Sequence, residues 1–259
     1  ALEGIKEVVL GKQFEKIAVF TDKFMLDSGN AKKVTDKLDE INVDYIFFTD
    51  IQPNPTIKNV LDGLKVIEDE KADAIIAIGG GSVIDCAKAA GIINTNPDFR
   101  DVKSLEGVAD TKNPSTPIIA VPTTAGTAAE VTINYVITDE DSKKKMVCVD
   151  PNDIPIAAIV APEMMETMPK ELTASTGMDA LTHAIEGYIT AGAWELSDMF
   201  HLKAIELIAK YLPAAVNNEK EGREMMALGQ YIAGMGFSNV GLGIVHSMAH
   251  PLGALYDTP

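Results

Sequence analysis

Short, unbroken apolar runs between turn residues set the pattern of the first part of the chain. Strands that are apolar on both faces are typical of a parallel sheet, because helices cover both of its sides. Two intervening segments, 30–41 and 56–70, space their apolar residues as amphipathic helices do. The strand-like runs lie at residues 16–22, 43–50, 72–80, 116–124 and 156–162.

Strand and helix in alternation predict a doubly wound α/β layer with a mostly parallel sheet. After Pro169 the strand-like runs stop, and the remaining sequence is rich in Ala, Leu, Met and Glu, which favour helices. We therefore predict an α/β domain over residues 1–165 and an all-helical domain over 166–259. Helices are predicted at residues 172–190, 195–211, 220–236 and 242–256.

Composition narrows the classes of function. The 38 acidic residues outnumber the 22 Lys and Arg, and the net charge of −16 would repel phosphate backbones and anionic membranes. We therefore expect neither nucleic acid nor a membrane as a partner. No apolar run approaches the ~18 residues that suggest a membrane span. The only cysteines, Cys86 and Cys148, are too isolated for a disulfide framework, which favours a reducing, cytoplasmic location.

A glycine-rich loop, GGGSVIDCAKAA at residues 79–90, follows the third strand-like run. Backbone N–H groups at the start of a helix attract phosphate, and glycine lets the phosphate approach closely. The order of the glycines differs from the GxGxxG fingerprint of dinucleotide-binding folds. The loop is therefore either a phosphate-binding site or an ordinary connection between strand and helix.

A threonine-rich loop, PTTAGTAAEVT at residues 122–132, follows the fourth run. Its hydroxyls, on Thr123, Thr124 and Thr127, would lie at the carboxyl edge of the sheet, where ligands bind in open α/β folds. They could equally cap a helix or form turns. Asp22, which ends the first run, could accept a hydrogen bond from a ribose hydroxyl and repel a 2′-phosphate, or simply precede a helix.

Two pairs of residues have the spacing of metal ligands on a helix. Asp179 and His183 stand four apart, as do His246 and His250, so that each pair lies on one helix face. Imidazole and carboxylate suit a divalent metal such as Fe²⁺ or Zn²⁺. One such pair alone would more often be a pair of buried, hydrogen-bonded side chains in the core than a set of metal ligands. Two pairs favour a metal site. Spacing does not distinguish His246 from His250.

These segments resemble the iron-dependent (group III) alcohol dehydrogenases. The resemblance implies a fold of the dehydroquinate synthase-like type, in which an α/β domain binds the dinucleotide, a helical domain holds the metal, and the reaction occurs between them. It extends over nearly the whole chain through PNPTI, GGGSVIDCAK, SLEGVADTKNPS, PTTAGTAAEVTINYVITDE, KMVCVDPNDIP, TASTGMDALTHAIEGY, GAWELSDMFHLKAIE, MALGQYIAGMGFSNVGLG and VHSMAHPLGALYDTP.

The resemblance also implies the roles of individual residues. Asp179, His183 and His246 would bind Fe²⁺, with Zn²⁺ as the alternative, and His250 would lie by the nicotinamide and relay a proton without binding the metal. Contacts with NAD(H) are implied for Asp22, Asn54, Gly80, Gly81, Ser82, Thr123, Thr124, Thr127, Asn134 and Lys145.

The implied activity is an NAD(H)-dependent reduction of lactaldehyde to 1,2-propanediol, or the reverse, by a homodimer. Other small alcohols (1,3-propanediol, glycerol or ethanol) remain open as substrates, as does an inactive nucleotide-binding module. A fourth metal ligand of the family follows directly after the Asp-Thr-Pro at which this sequence stops. We therefore expect a helical domain that is incomplete at its C-terminus.

Overall fold

The computed structural model describes residues 1–256, which form two compact units. One unit comprises residues 1–122 and 133–159, and the other comprises 123–132 together with the residues from 160 onward. No helix in the described part of the chain combines the length and the apolar character needed to cross a membrane.

The first unit is an α/β layer with a second, smaller sheet. Its helices are α1 (Gly4–Lys12), α2 (Lys23–Asp27), α3 (Asn30–Asp39), α4 (Ile57–Glu70) and α5 (Gly81–Thr95). Its strands are β1 (Lys16–Phe20), β2 (Asp44–Phe48), β3 (Ala74–Gly79), β4 (Gly107–Val108), β5 (Ile118–Pro122), β6 (Asn134–Asp139), β7 (Lys144–Val149) and β8 (Ala157–Ala158).

The main sheet is parallel throughout, in the strand order β2-β1-β3-β5-β8. Strands β3 and β5 are buried along their whole length, which explains their unbroken apolar sequences. The predicted α/β fold with a mostly parallel sheet is confirmed. The predicted strand at 156–162 is shorter than expected, with only β8 paired, because it lies at the sheet edge between Pro155 and Pro162.

The second sheet was not predicted. It has the order β4-β7-β6, and β6 and β7 form an antiparallel hairpin with Val136 opposite Val147. Buried and half-buried residues alternate along β6, with Tyr135 and Ile137 facing inward. A search for unbroken apolar runs overlooks this alternating pattern, which is typical of a sheet covered on one face only.

The second unit is helical. Its helices are α6 (Lys170–Ile189), α7 (Glu195–Val216), α8 (Lys220–Val240) and α9 (Ile244–Tyr256). Apolar residues of α6, α7 and α8, among them Ala180, Ala184, Ile208 and Ala233, form its core. The helices lie close to the predicted ranges.

Residues 123–132 belong to the helical unit, although they lie between two strands of the sheet unit. The segment packs tightly against α6 and α8: a Cβ atom added at Gly126 would lie 2.8 Å from the carbonyl oxygen of Thr176, and one added at Gly234 would lie 2.4 Å from Cβ of Ala128. The domain boundary at residue 165 stays a prediction. These contacts assign residues 123–132 to the helical unit.

The Gly126 contact predicts the effect of a single methyl group. Gly126→Ala places its Cβ against backbone and Cβ atoms of Thr176, so we expect the free energy of unfolding to fall by about 1–3 kcal/mol. The fluorescence of Trp194, the single tryptophan, would follow urea unfolding of the helical unit. Gly11→Ala is the control, since nothing lies within 4 Å of a Cβ atom there. Equal midpoints for the two variants would contradict the close packing at Gly126.

Candidate metal centre and nucleotide-binding loops

One face of α6 carries three polar side chains that meet the start of α9. Asp179, His183 and Glu186 follow one another at intervals of four and three residues, and α9 contributes His246. One ligand atom from each of Asp179, His183 and His246 lies within 4.8 Å of the other two. Nε2 of His183 lies 3.8 Å, and Nε2 of His246 3.4 Å, from Oδ1 of Asp179.

The ring of His183 is held on three sides. Its Nδ1 lies 3.3 Å from the carbonyl oxygen of Gly126. The His183 ring stacks on Phe237 with ring centroids 4.3 Å apart, and it also stacks on the ring of His246 with centroids 4.4 Å apart. Because a carbonyl oxygen only accepts hydrogen bonds, Nδ1 is the donor, and the lone pair of the neutral ring is at Nε2 beside Asp179.

The ring of His246 is held by Glu186. Its Nδ1 lies 2.6 Å from Oε2 of Glu186, and a carboxylate oxygen is likewise an acceptor. Nδ1 therefore donates, and Nε2 is directed at Asp179. Both histidines thus place the same ring nitrogen next to one carboxylate oxygen.

The electrostatics of the cluster favour an ionised carboxylate and a neutral His183. Burial opposes ionisation of Asp179, but its interactions with His183 and His246, including the hydrogen bond to His246, outweigh burial and lower the pKa of its carboxyl. Burial lowers the pKa of His183. Burial also opposes the charge of His246, yet its hydrogen bonds to Asp179 and Glu186 prevail and raise the pKa of its imidazole.

The structure separates the two histidines that spacing left equivalent. The ring of His250 lies one turn after His246, edge-on to it, with centroids 6.0 Å apart. It is not part of the group whose ligand atoms converge. The remaining histidine, His201, is fully buried on α7, and its ring occupies the space that a Cβ at Gly187 or Gly236 would need. Residues 257–259, after which the resemblance implies a fourth ligand, lie outside the described residues.

In the sheet unit, the glycine loop forms the start of α5. Gly79 ends β3, Gly80 occupies the N-cap position, and α5 begins at Gly81, followed by Ser82. Glycine at the N-cap has no side chain to cover the first N–H groups of the helix, which leaves room for an anion. Asp22 follows the neighbouring strand β1, so both loops lie at the carboxyl edge of the sheet.

Asp22 also has a local role. Its Oδ1 accepts a hydrogen bond of 2.8 Å from the backbone N–H of Met25 and thereby caps α2. The structure therefore accounts for this aspartate as a helix cap, and its part in ribose recognition stays a prediction.

The hairpin approaches the glycine loop through Asn54. The N–H of Asn54 donates to Oγ of Ser82 at 3.2 Å, and its carbonyl oxygen accepts from Oγ1 of Thr138 at 3.4 Å. Lys145 stands opposite Thr138, whereas Asn134 stands opposite Val149 at the other end of the hairpin. Asn54, Ser82 and Lys145 therefore share one region, and Asn134 lies some four strand residues away, or about 13 Å.

The three threonines lie in the segment that packs with the helices. Thr123 is buried, and Thr124 and Thr127 are partly exposed. Oγ1 of Thr127 accepts from the N–H of Ala129 at 3.3 Å, which is the local turn contact that the sequence left open as an alternative to ligand binding. Their part in cofactor binding stays a prediction.

Sequence reasoning missed two residues of the metal cluster. Glu186 lies seven residues after Asp179 and three after His183, so the helical spacing that marks those two also includes it. Phe237 comes from α8 and stacks on His183, and nothing local in the sequence distinguishes it from other apolar residues of that helix.

Comparison with known proteins identifies the family. Residues 1–162 match the family model described as iron-containing alcohol dehydrogenase, and residues 173–259 match its C-terminal counterpart. The chain is 56% identical to lactaldehyde reductase of Escherichia coli K12 over 259 residues, which is all of this chain and 68% of that protein. The chain belongs to the iron-containing alcohol dehydrogenase family.

Solved structures agree with this assignment. A crystal structure of 1,3-propanediol oxidoreductase matches all of the chain and 68% of its own length, with a TM-score of 0.95 and 41% identity. Sulfoacetaldehyde reductase from Bifidobacterium kashiwanohense, solved in complex with NAD⁺, matches with a TM-score of 0.88 and 34% identity over the same shares of the two chains. The resemblance inferred from the sequence motifs is confirmed.

Proposed function

We propose that this protein is an NAD(H)-dependent, metal-dependent alcohol dehydrogenase that reduces lactaldehyde to 1,2-propanediol or catalyses the reverse reaction. The observation that carries this proposal is the convergence of Asp179, His183 and His246, with both imidazoles oriented through Nδ1 so that Nε2 is left for a metal. The 56% identity to lactaldehyde reductase supports the choice of substrate.

The residues present fit a divalent transition metal. Two neutral imidazole nitrogens and one carboxylate are a donor set that binds Fe²⁺ or Zn²⁺ and leaves positions open. The description of the matching family favours iron. Iron held by Asp179, His183 and His246 would supply a Lewis acid for the substrate oxygen, and NADH would supply the hydride for the carbonyl carbon.

The side chains around the reacting atoms have distinct proposed tasks. His250, one turn after His246 on α9, moves the proton between solvent and the substrate oxygen, because imidazole changes its charge near neutral pH. Gly80, Gly81 and Ser82 present the start of α5 to the phosphates of the dinucleotide. The other cofactor contacts implied by the resemblance are proposed residue by residue, for Asp22, Asn54, Asn134, Lys145, Thr123, Thr124 and Thr127.

The finer parts of the function are also proposals. The second candidate substrate is another small alcohol, since a 1,3-propanediol dehydrogenase of Citrobacter freundii is 43% identical to this chain over 249 residues. A homodimer and a cytoplasmic location remain the predicted assembly and compartment. Two buried, free cysteines support a reducing compartment.

A matched pair of substitutions on α9 tests the roles of its two histidines. His246→Ala removes a proposed ligand, so bound Fe²⁺, supplied anaerobically and counted per chain, should fall well below that of the unmodified chain. His250→Ala should keep its metal and lower NADH-dependent turnover of lactaldehyde by about 10²-fold or more. Equal loss of metal in both variants would make His250 a ligand. Unchanged metal content in both would rule out the proposed ligand set.

Asp22→Asn tests nucleotide selectivity without removing the helix cap, because asparagine caps helices as well as aspartate does. Loss of the charge should strengthen NADPH binding relative to NADH by about tenfold, or about 1.4 kcal/mol. Binding is measured from nucleotide fluorescence, and an unchanged thermal midpoint would show that the cap persists. A ratio of the two dissociation constants equal to that of the unmodified chain would mean that Asp22 serves only as the cap of α2.

A further inference from the structure

A single buried carboxylate connects α6 to α9. The Glu186 side chain is 4% exposed, and both of its oxygens have partners on the other helix. Oε1 accepts from the backbone N–H of Val245 at 2.6 Å, and Oε2 accepts from Nδ1 of His246 at 2.6 Å and from its backbone N–H at 3.4 Å. A carboxylate without these donors would be costly to bury, so the three contacts also explain why it is tolerated there.

The sequence before α9 makes room for this carboxylate. Gly243 directly precedes the helix, and a Cβ atom at that position would lie 2.8 Å from Oε1 of Glu186. The first N–H groups of a helix have no partner within the helix, and here Glu186 accepts from two of them. A negative charge at this end also interacts favourably with the helix dipole.

The contact with the imidazole goes beyond capping. A cap needs only the backbone N–H groups, yet the shortest bonds of Glu186 include the one to the His246 ring. In the neutral ring, that bond places the proton on Nδ1 and leaves the lone pair on Nε2, the atom 3.4 Å from Asp179. Histidines that bind metals usually donate their second N–H to a carboxylate or carbonyl in this way.

We propose that Glu186 is a positioning residue of the metal centre, which fixes both the start of α9 and the ring of His246 through one carboxylate. The inference rests on the proposed function in taking His246 as a ligand. Asp179 and His183 are already placed by α6 itself, so Glu186 sets where the ligand from the other helix lies relative to them. The side chain acts through His246 and does not take part in the reaction.

The first test uses the metal-free chain, so that it does not depend on activity. At about pH 9, which leaves a margin for the raised pKa of His246 above the usual imidazole value of about 6.5, the ¹⁵N shifts of His246 should report the proton on Nδ1. Glu186→Gln keeps the volume of the side chain but places an amide N–H₂ group opposite one of the N–H donors of α9. The tautomer population of His246 should therefore move from Nδ1–H toward Nε2–H. His183 is an internal control, because its Nδ1 donates to the Gly126 carbonyl instead.

The second test measures the affinity for Co²⁺, used as a spectroscopic probe of the site. Glu186→Gln and Glu186→Ala should each weaken binding by about 10–100-fold. Glu171→Gln, an exposed glutamate on the same helix, should leave the affinity unchanged. In a His246→Ala background, a further Glu186→Gln substitution should have no additional effect, because the ring through which Glu186 acts is gone.

The outcomes separate this inference from the proposed function. If His246→Ala lowers the Co²⁺ affinity but Glu186→Gln changes neither the affinity nor the His246 tautomer, the positioning role is wrong and the metal site stands. If His246→Ala leaves the affinity unchanged, the proposed ligand set is wrong, and the role of Glu186 toward a metal fails with it. Movement of both histidine tautomers in Glu186→Gln would indicate loss of the local fold and would also overturn the proposal.

Discussion

The geometry of the metal cluster depends on the pitch of one helix. With 3.6 residues per turn, α6 directs Asp179, His183 and Glu186 to the same side, where all three make polar contacts. Asp179 lies against both histidines, His183 contacts the Gly126 carbonyl, and Glu186 binds the start of α9. The groups from outside α6, His246 on α9 and the Gly126 carbonyl, all contact this one face of the helix.

Burial makes these contacts mutually dependent. His183 is 6% and Glu186 3% exposed, and polar groups so far from water are costly unless hydrogen-bonded. The stacking of Phe237, His183 and His246 fills the remaining space with parallel rings. Moving one ring would leave a carbonyl or a carboxylate without its donor. Such interdependence keeps the Nε2 atoms of the two imidazoles next to the same carboxylate oxygen.

The sequence was most informative where physics leaves few alternatives. Unbroken apolar runs imply coverage on both faces and therefore predict β3 and β5 as parallel strands. Spacing of i, i+4 implies a shared helix face and therefore pairs Asp179 with His183. The β6–β7 hairpin is not predicted by such runs, because its inward and outward residues alternate. His246 and His250 were equivalent by spacing, since the choice depends on where α9 begins relative to α6. Glu186 shares the helical spacing of Asp179 and His183, but spacing alone does not distinguish it from the other glutamates of the helices.

The discontinuity of the helical unit bears on how its site is assembled. The carbonyl that orients His183 comes from Gly126, 57 positions earlier in the chain, and the intervening residues 133–159 belong to the other unit. Closing so long a loop costs chain entropy before any contact repays it. During synthesis, the acceptor for His183 therefore emerges 57 residues before the histidine that it orients. A helical fragment cut out at residue 166 would carry all three converging side chains and still lack the group that directs one of them.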